Sequence, residues 1–395
     1  SRNQKILPYH EELKKAGACF GVSGGYERPM WFALKDEKAE YVYSFGHQNW
    51  YSSVEYETKN TTLNVGLYEL TPFSKYEIKG NLAHSELQKL CTANIKNEIG
   101  KSTYTQMLNE SGGIEIDLTA ICIDKDYFRI ISSAATRTHD KIHILKNLSK
   151  DLEFKDVTDD YACLGIFGPK SRDLLSKLSN DDFSKETFKF GDGKSSNINS
   201  KKVWIQRLSY VGELGYEIYS KIEDAKSIYN LIIEEGEKFK LSLCGSHAMD
   251  VMRMESGFLH WGHDISPEEN QFEAGLNFAI SFKKEANFIG KEQLTKYRDK
   301  KPKKRFIMLS LKNNNPGQPL LLHEEPIYLD DKIIGRTTSG NYSFNYNKNL
   351  SFGYVSSNYS NHELSNKNLY IEVAKCKYPV NVELHPLKSS KIRYS

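Results

Sequence analysis

Two stretches of this chain repeat one grammar, and the repetition constrains the fold more than any other feature. The first runs from a strand, FSKYEIKG, through Gly80 into a helix, LAHSELQKLC. The second runs from YACLGIFG through Gly168 into PKSRDLLSKL, 88 residues on (168 − 80), with Pro169 at a helix-start position. Gly80, Leu87, Lys89 and Leu90 match Gly168, Leu175, Lys177 and Leu178 in offset. Each copy continues with a strand pair and a second helix: YTQML, IEIDLTAIC and RTHDKIHILKNL, then KVWIQRLS, LGYEIYS and DAKSIYNLIIEEGEKF. The pattern predicts two β-α-β-β-α units forming a duplicated α+β core.

At 395 residues the chain is long enough for more than that core. After the basic break YRDKKPKKR (297–305) it turns to short strands, FIMLSL, EEPIYL, KIIGRTTSG, LSFGYV, LYIEVA and VNVEL, which predict a small all-β domain. Before the core, YHEELKKAG reads as a short helix, followed by a glycine-rich turn and the aromatic stretch YERPMWF (26–32). The expected divisions are residues 1–60 as a linking segment, 61–300 as the duplicated core and 301–395 as the β domain.

With 54 Lys plus Arg against 51 Asp plus Glu, the net charge of +3 gives no electrostatic footprint for nucleic acid or membrane. Its six cysteines contain no C-x-x-C pair, so neither a zinc site nor a disulfide framework is expected. No apolar run reaches the roughly 18 residues of a membrane span, and the start lacks a signal-peptide core, so a cytoplasmic or, in a eukaryote, mitochondrial-matrix location is expected. The first residue is not Met, which suggests a trimmed chain or a fragment.

Local motifs have bland readings. GVSGG (21–25) matches a nucleophile elbow around Ser23, but too little chain precedes it for the sheet that such an elbow requires, so a glycine turn is expected. GDGKSS (191–196) lacks the first P-loop glycine, Phe188 standing there, and reads as a loop. His260-Trp-Gly-His263-Asp264 reads as a turn with polar caps, with no metal. Asp250 and Arg253, three apart on a helix, are an ion pair or face a ligand. In IEIDLTA, period two puts Ile114, Ile116 and Leu118 on one face and Glu115, Asp117 and Thr119 on the other. Asp117 is then either a solvent-facing acid on a half-exposed strand or an acid lining a cavity.

Several segments resemble, in order, the T-protein of the glycine cleavage system and its fused relatives. They are MLNESGGIEIDLTAI (107–121), SYVGELGYEIY (209–219), DVMRMESGFLHWGHDI (250–265), FIGKEQL (288–294) and EEPIYLDDKIIGRTTSGNYS (324–343). YERPMWF resembles the linking region before the folate-binding half of dimethylglycine and sarcosine dehydrogenases. Ile116 departs from the acid that often precedes the key aspartate in T-proteins.

The resemblance implies an α+β, three-domain cloverleaf: two related α+β domains and a C-terminal all-β, barrel- or jelly-roll-like domain around a folate cavity. It implies an aminomethyltransferase-like one-carbon transferase that uses tetrahydrofolate and a small methylated amine, with FAD only through a partner domain or subunit. Asp117 would be the catalytic acid near the reactive folate nitrogens. Tyr210 would line the cavity, Glu217 would accept paired donors from the pterin, Met107 and Leu108 would pack on the cofactor, and Arg253 would shape the site. Alternatives are a folate-binding module without catalysis and a demethylase acting on a sulfonium compound.

Overall fold

The computed structural model describes residues 2–389. The duplication is present and is richer than the sequence pattern suggested. The first unit contains strand Ser74–Lys79, helix Ala83–Leu90, strands Ser102–Leu108, Ile114–Asp124 and Tyr127–Ser132, helix Arg137–Asn147 and strand Glu153–Asp156. The second contains Tyr161–Phe167, helix Ser171–Leu178, strands Gly193–Ile198, Lys201–Gln206 and Gly215–Lys221, helix Ala225–Gly236 and strand Leu241–Cys244. Both units are therefore β-α-β-β-β-α-β, where β-α-β-β-α was expected.

The strands that escaped the sequence reading are short or polar: Glu153–Asp156 and Leu241–Cys244 have four residues each, and Gly193–Ile198 has one apolar side chain, Ile198. The expected loop GDGKSS (191–196) runs instead into a polar edge strand, Gly193–Ile198. It pairs with Lys201–Gln206 around Asn199 and Ser200, both at positive φ, which is the two-residue geometry that matches strand twist.

Within each unit the strands lie in the spatial order second, third, fourth, first, fifth. In the second sheet one extra strand, Val65–Glu69, inserts between first and fifth, antiparallel to Tyr161–Phe167 and parallel to Leu241–Cys244. The matched glycines adopt nearly the same unusual backbone, with φ of 131° at Gly80 and 129° at Gly168. A side chain at Gly168 would meet the carbonyl oxygens of Thr61 and Asn64 at 2.5 Å, so glycine lets the second unit's strand end approach the helix Tyr51–Leu63 that leads into the extra strand.

One face of each sheet is covered by its own helices. Leu87 and Leu90 pack with Ile116 and Ile130 in the first unit, as Leu174, Leu175 and Leu178 pack with Ile166 and Ile218 in the second. The N-terminal segment joins the second core: Tyr9, Leu13, Tyr26 and Phe32 belong to it, and Tyr9 stacks on Tyr229 at 4.6 Å. GVSGG forms the tip of a hairpin, in which Ser23 pairs with Tyr26 across Gly24 and Gly25, both at positive φ.

All six expected C-terminal strands form, and they close into a barrel in the order 304–311, 348–356, 332–343, 326–329, 369–373, 376–383. The domain also carries one short helix, Asn361–Asn366, started by a Ser360–Glu363 capping box. Closure leaves no free sheet edge. Helix Ser246–Glu255 ties the barrel to the core through Glu255, which accepts from Ser343 Oγ at 2.7 Å and Asn345 Nδ2 at 2.9 Å. Among the described residues no helix is long and apolar enough to cross a membrane.

Candidate active site between the two sheets

The faces of the two sheets that are not covered by their own helices turn toward each other. On the first sheet, strand pairing puts Tyr104, Gln106, Asp117, Thr119, Arg129, Ile131, Lys75 and Glu77 on this inner face. On the second it puts Trp204, Gln206, Glu217, Tyr219 and Cys163 there. Arg129 spans the gap, lying 4.3 Å from the Tyr161 ring centroid and 5.9 Å from that of Tyr219. Ile131 and Trp204 from the two sheets, with Phe73 and Tyr210 from adjoining loops, pack against one shared apolar cluster.

Asp117 thus faces neither the main core nor open water. Its strand alternates as expected, with Ile114, Ile116 and Leu118 buried and Glu115, Asp117 and Thr119 partly covered. Burial pushes the Asp117 carboxyl up to about 6, against the hydrogen bond from Gln106 that favours its ionised form. That bond, Gln106 Nε2 to Asp117 Oδ1, is 2.8 Å between directly paired residues. Tyr104 and Tyr210 lie close enough to couple electrostatically with Asp117 and with each other.

Glu217 occupies the opposite wall. Its Oε2 accepts from Tyr219 Oη at 2.5 Å, and burial raises its pKa. Lys75 faces it from the first sheet, fully buried; its Nζ donates to the carbonyls of Thr71 at 2.7 Å and Phe73 at 2.8 Å, and burial lowers its pKa to about 8.

The other named residues take different positions. Tyr210 donates its hydroxyl to Leu259 O at 2.6 Å and stacks on Phe258 at 5.9 Å, so its ring rather than its hydroxyl is what it offers the inner space. Met107 and Leu108 are fully covered, Met107 in the first unit's core and Leu108 in a cluster with Ile114, Met254 and Leu259. Arg253 is enclosed in a polar junction: Nε donates to Asp250 at 2.8 Å, Nη1 to Asp264 at 2.5 Å and to Phe258 O at 3.1 Å, and Nη2 to Ser339 Oγ at 2.9 Å. The His260–Asp264 segment is a turn whose aspartate also accepts from Thr338 and Ser339 of the barrel, at 2.6 and 2.8 Å.

Sequence reasoning missed Gln106, Tyr104 and Lys75. Period two along STYTQML puts Tyr104 and Gln106 on one face, a signal that could have paired them with Asp117. Lys75 carried none, because its burial depends on the opposing sheet.

Residues 9–284 match the GCVT N-terminal domain, and residues 304–388 match the glycine cleavage T-protein C-terminal barrel domain. The chain is 36% identical over 86% of its length to 4-methylaminobutanoate oxidase (formaldehyde-forming) of Paenarthrobacter nicotinovorans. It is 32% identical over 89% of its length to mitochondrial dimethylglycine dehydrogenase of Homo sapiens. It spans 41% and 40% of those two relatives. The solved glycine cleavage system aminomethyltransferase T from Bartonella henselae superposes with a TM-score of 0.83 over 98% of both chains at 21% identity, which shows a common fold.

Proposed function

This chain belongs to the glycine cleavage T-protein family, and from that premise we propose that it is a tetrahydrofolate-dependent one-carbon transferase module. Its reaction takes a methylene unit from an N-methylated glycine, such as dimethylglycine or sarcosine, and yields 5,10-methylenetetrahydrofolate and the demethylated amine. The observation that carries this reading is Asp117, a partly covered carboxyl shifted to about 6 and held by an amide on the sheet face that looks toward the second sheet. Such a group is suited to proton movement near neutral pH.

The residues present fit the folate. A pterin edge offers paired N–H donors, and Glu217 offers a carboxylate whose other oxygen is fixed by Tyr219. Trp204, Tyr210, Phe73 and Ile131 supply apolar walls for a flat ring. Tetrahydrofolate, when bound, supplies the nitrogen pair that takes up the carbon. Above about pH 6 Asp117 is ionised, stabilises positive charge on the incoming amine carbon and accepts the proton that the attacking nitrogen loses. The apolar walls keep water from competing for that carbon. Flavin chemistry, which generates the reactive amine, belongs in this proposal to a partner domain or subunit; the chain's 41% and 40% spans of its two relatives support that placement.

The test is single-turnover transfer beside calorimetric folate titration. Asp117→Asn is expected to keep folate affinity within about threefold while slowing transfer by roughly a hundredfold, the usual range for a proton-transfer residue. Equal transfer rates in parent and variant refute the assignment.

A further inference from the structure

A dry chain of side-chain hydrogen bonds runs behind Asp117, and its polarity is fixed at the far end. Thr92 Oγ1 has its single proton for the Ala279 carbonyl, 2.9 Å away, which can only accept; its other hydroxyl neighbour, Thr105 Oγ1, lies farther off at 3.3 Å. Thr92 Oγ1 must therefore accept from its next partner, Gln271 Nε2, at 3.0 Å. The same Gln271 amide donates to Gln106 Oε1, which turns Gln106 Nε2 toward Asp117 Oδ1 at 2.8 Å. The carboxylate at the near end requires the same orientation, since a flipped Gln106 would set oxygen against oxygen. Thr92, Gln106 and Gln271 are each 0% exposed, so no bulk water is available to scramble the order. Gln271 Oε1 is left buried without a partner among the described residues. Its amide is thus oriented by its neighbours rather than to satisfy itself, at a cost such groups ordinarily avoid.

We propose that Gln106, oriented by Gln271 and Thr92, is a positioning residue that reserves Asp117 Oδ1 as an acceptor and so confines any proton on Asp117 to Oδ2. This deepens the transferase reading, on which its functional meaning rests: the relay selects one oxygen for proton exchange and lowers the pH at which the carboxylate is available. The relay's anchor lies in the short turn Asn277–Ala279, in the segment leading toward the barrel. The neighbouring Phe278 stacks on Tyr104 at 6.2 Å, beside Asp117. The titratable groups facing Asp117 are Tyr104 from the paired strand, Asp140 from the following helix and Tyr210 from the second unit.

The test titrates Asp117 itself in the folate-free protein, by isotope-edited infrared spectroscopy of its carboxyl stretch with Asp117→Asn as the blank. This readout does not depend on transfer, so a failure of the relay and a failure of the transferase assignment are separable. Gln106→Leu removes the donor and is expected to raise the Asp117 midpoint by about one unit, with the acid limb of single-turnover transfer moving equally. Thr92→Val removes only the anchor, is near-isosteric, and is expected to shift the midpoint the same way by about half as much. Gln106→Glu, which offers oxygen to oxygen, is expected to shift it furthest. A midpoint unchanged in folded Gln106→Leu overturns the proposal. If Gln106→Leu fails to fold, an unchanged midpoint in Thr92→Val overturns it instead.

Discussion

Replacing Asp117 by Asn is expected to stabilise the protein at alkaline pH while it slows transfer. The carboxyl moves from 3.8 to about 6 on folding, chiefly through burial. The folded state therefore binds more protons than the unfolded state between those values, and stability falls as pH rises through that window and is flat above it. A shift of about two units corresponds to roughly 3 kcal/mol of strain on the ionised form at pH 8. Asp117 is only partly covered, so solvent screening reduces this, and a gain of about 1–2 kcal/mol is the working expectation. Asn keeps an oxygen to accept from Gln106, so the relay is not the variable. Thermal unfolding of parent and variant would be compared at pH 8, 5 and 4. For a chain of this size the midpoint should rise by about 2 °C or somewhat less per kcal/mol at pH 8. The gain should fall by about half at pH 5 and to about a fifth at pH 4, where the folded carboxyl is protonated while the unfolded one is still roughly half ionised. A variant no more stable than the parent at pH 8, or a gain indifferent to pH, refutes the reasoning. The outcome sought is a functional group that costs stability.

Three further outcomes are expected. Glu217→Gln should weaken tetrahydrofolate binding by about ten- to a hundredfold by calorimetry, since the charge-assisted pairing is lost while the shape is kept. Gly168→Ala should destabilise by roughly 2–3 kcal/mol in urea unfolding, and by more than Gly80→Ala, because backbone oxygens block the first whereas the tip of Leu152 obstructs the second. Arg253→Met should cost about 3–5 kcal/mol by stranding the buried Asp264, and Asp264→Asn in the same background should restore part of that in a double-mutant cycle.

The sequence by itself determined the duplication, the barrel strands and the direction in which Asp117 points. Those signals are local: a glycine that must adopt φ near 130°, helical leucine spacing, and strict alternation along residues 114–119. Alternation could not say whether the polar face of that strand met water or a wall, because both give the same one-dimensional pattern. The tertiary structure decided it by setting the second sheet, with Glu217 and Tyr219, opposite the first. The relay behind Asp117 was equally illegible, since Gln271 and Gln106 stand 165 residues apart and meet only because the segment leading toward the barrel folds back on the first sheet. Lys75 reads as an ordinary strand lysine until packing removes its water and lowers its pKa to about 8. Periodicity records which side of an element is covered; only the packed molecule fixes what covers it, and the carboxyl chemistry depends on that dielectric and those partners.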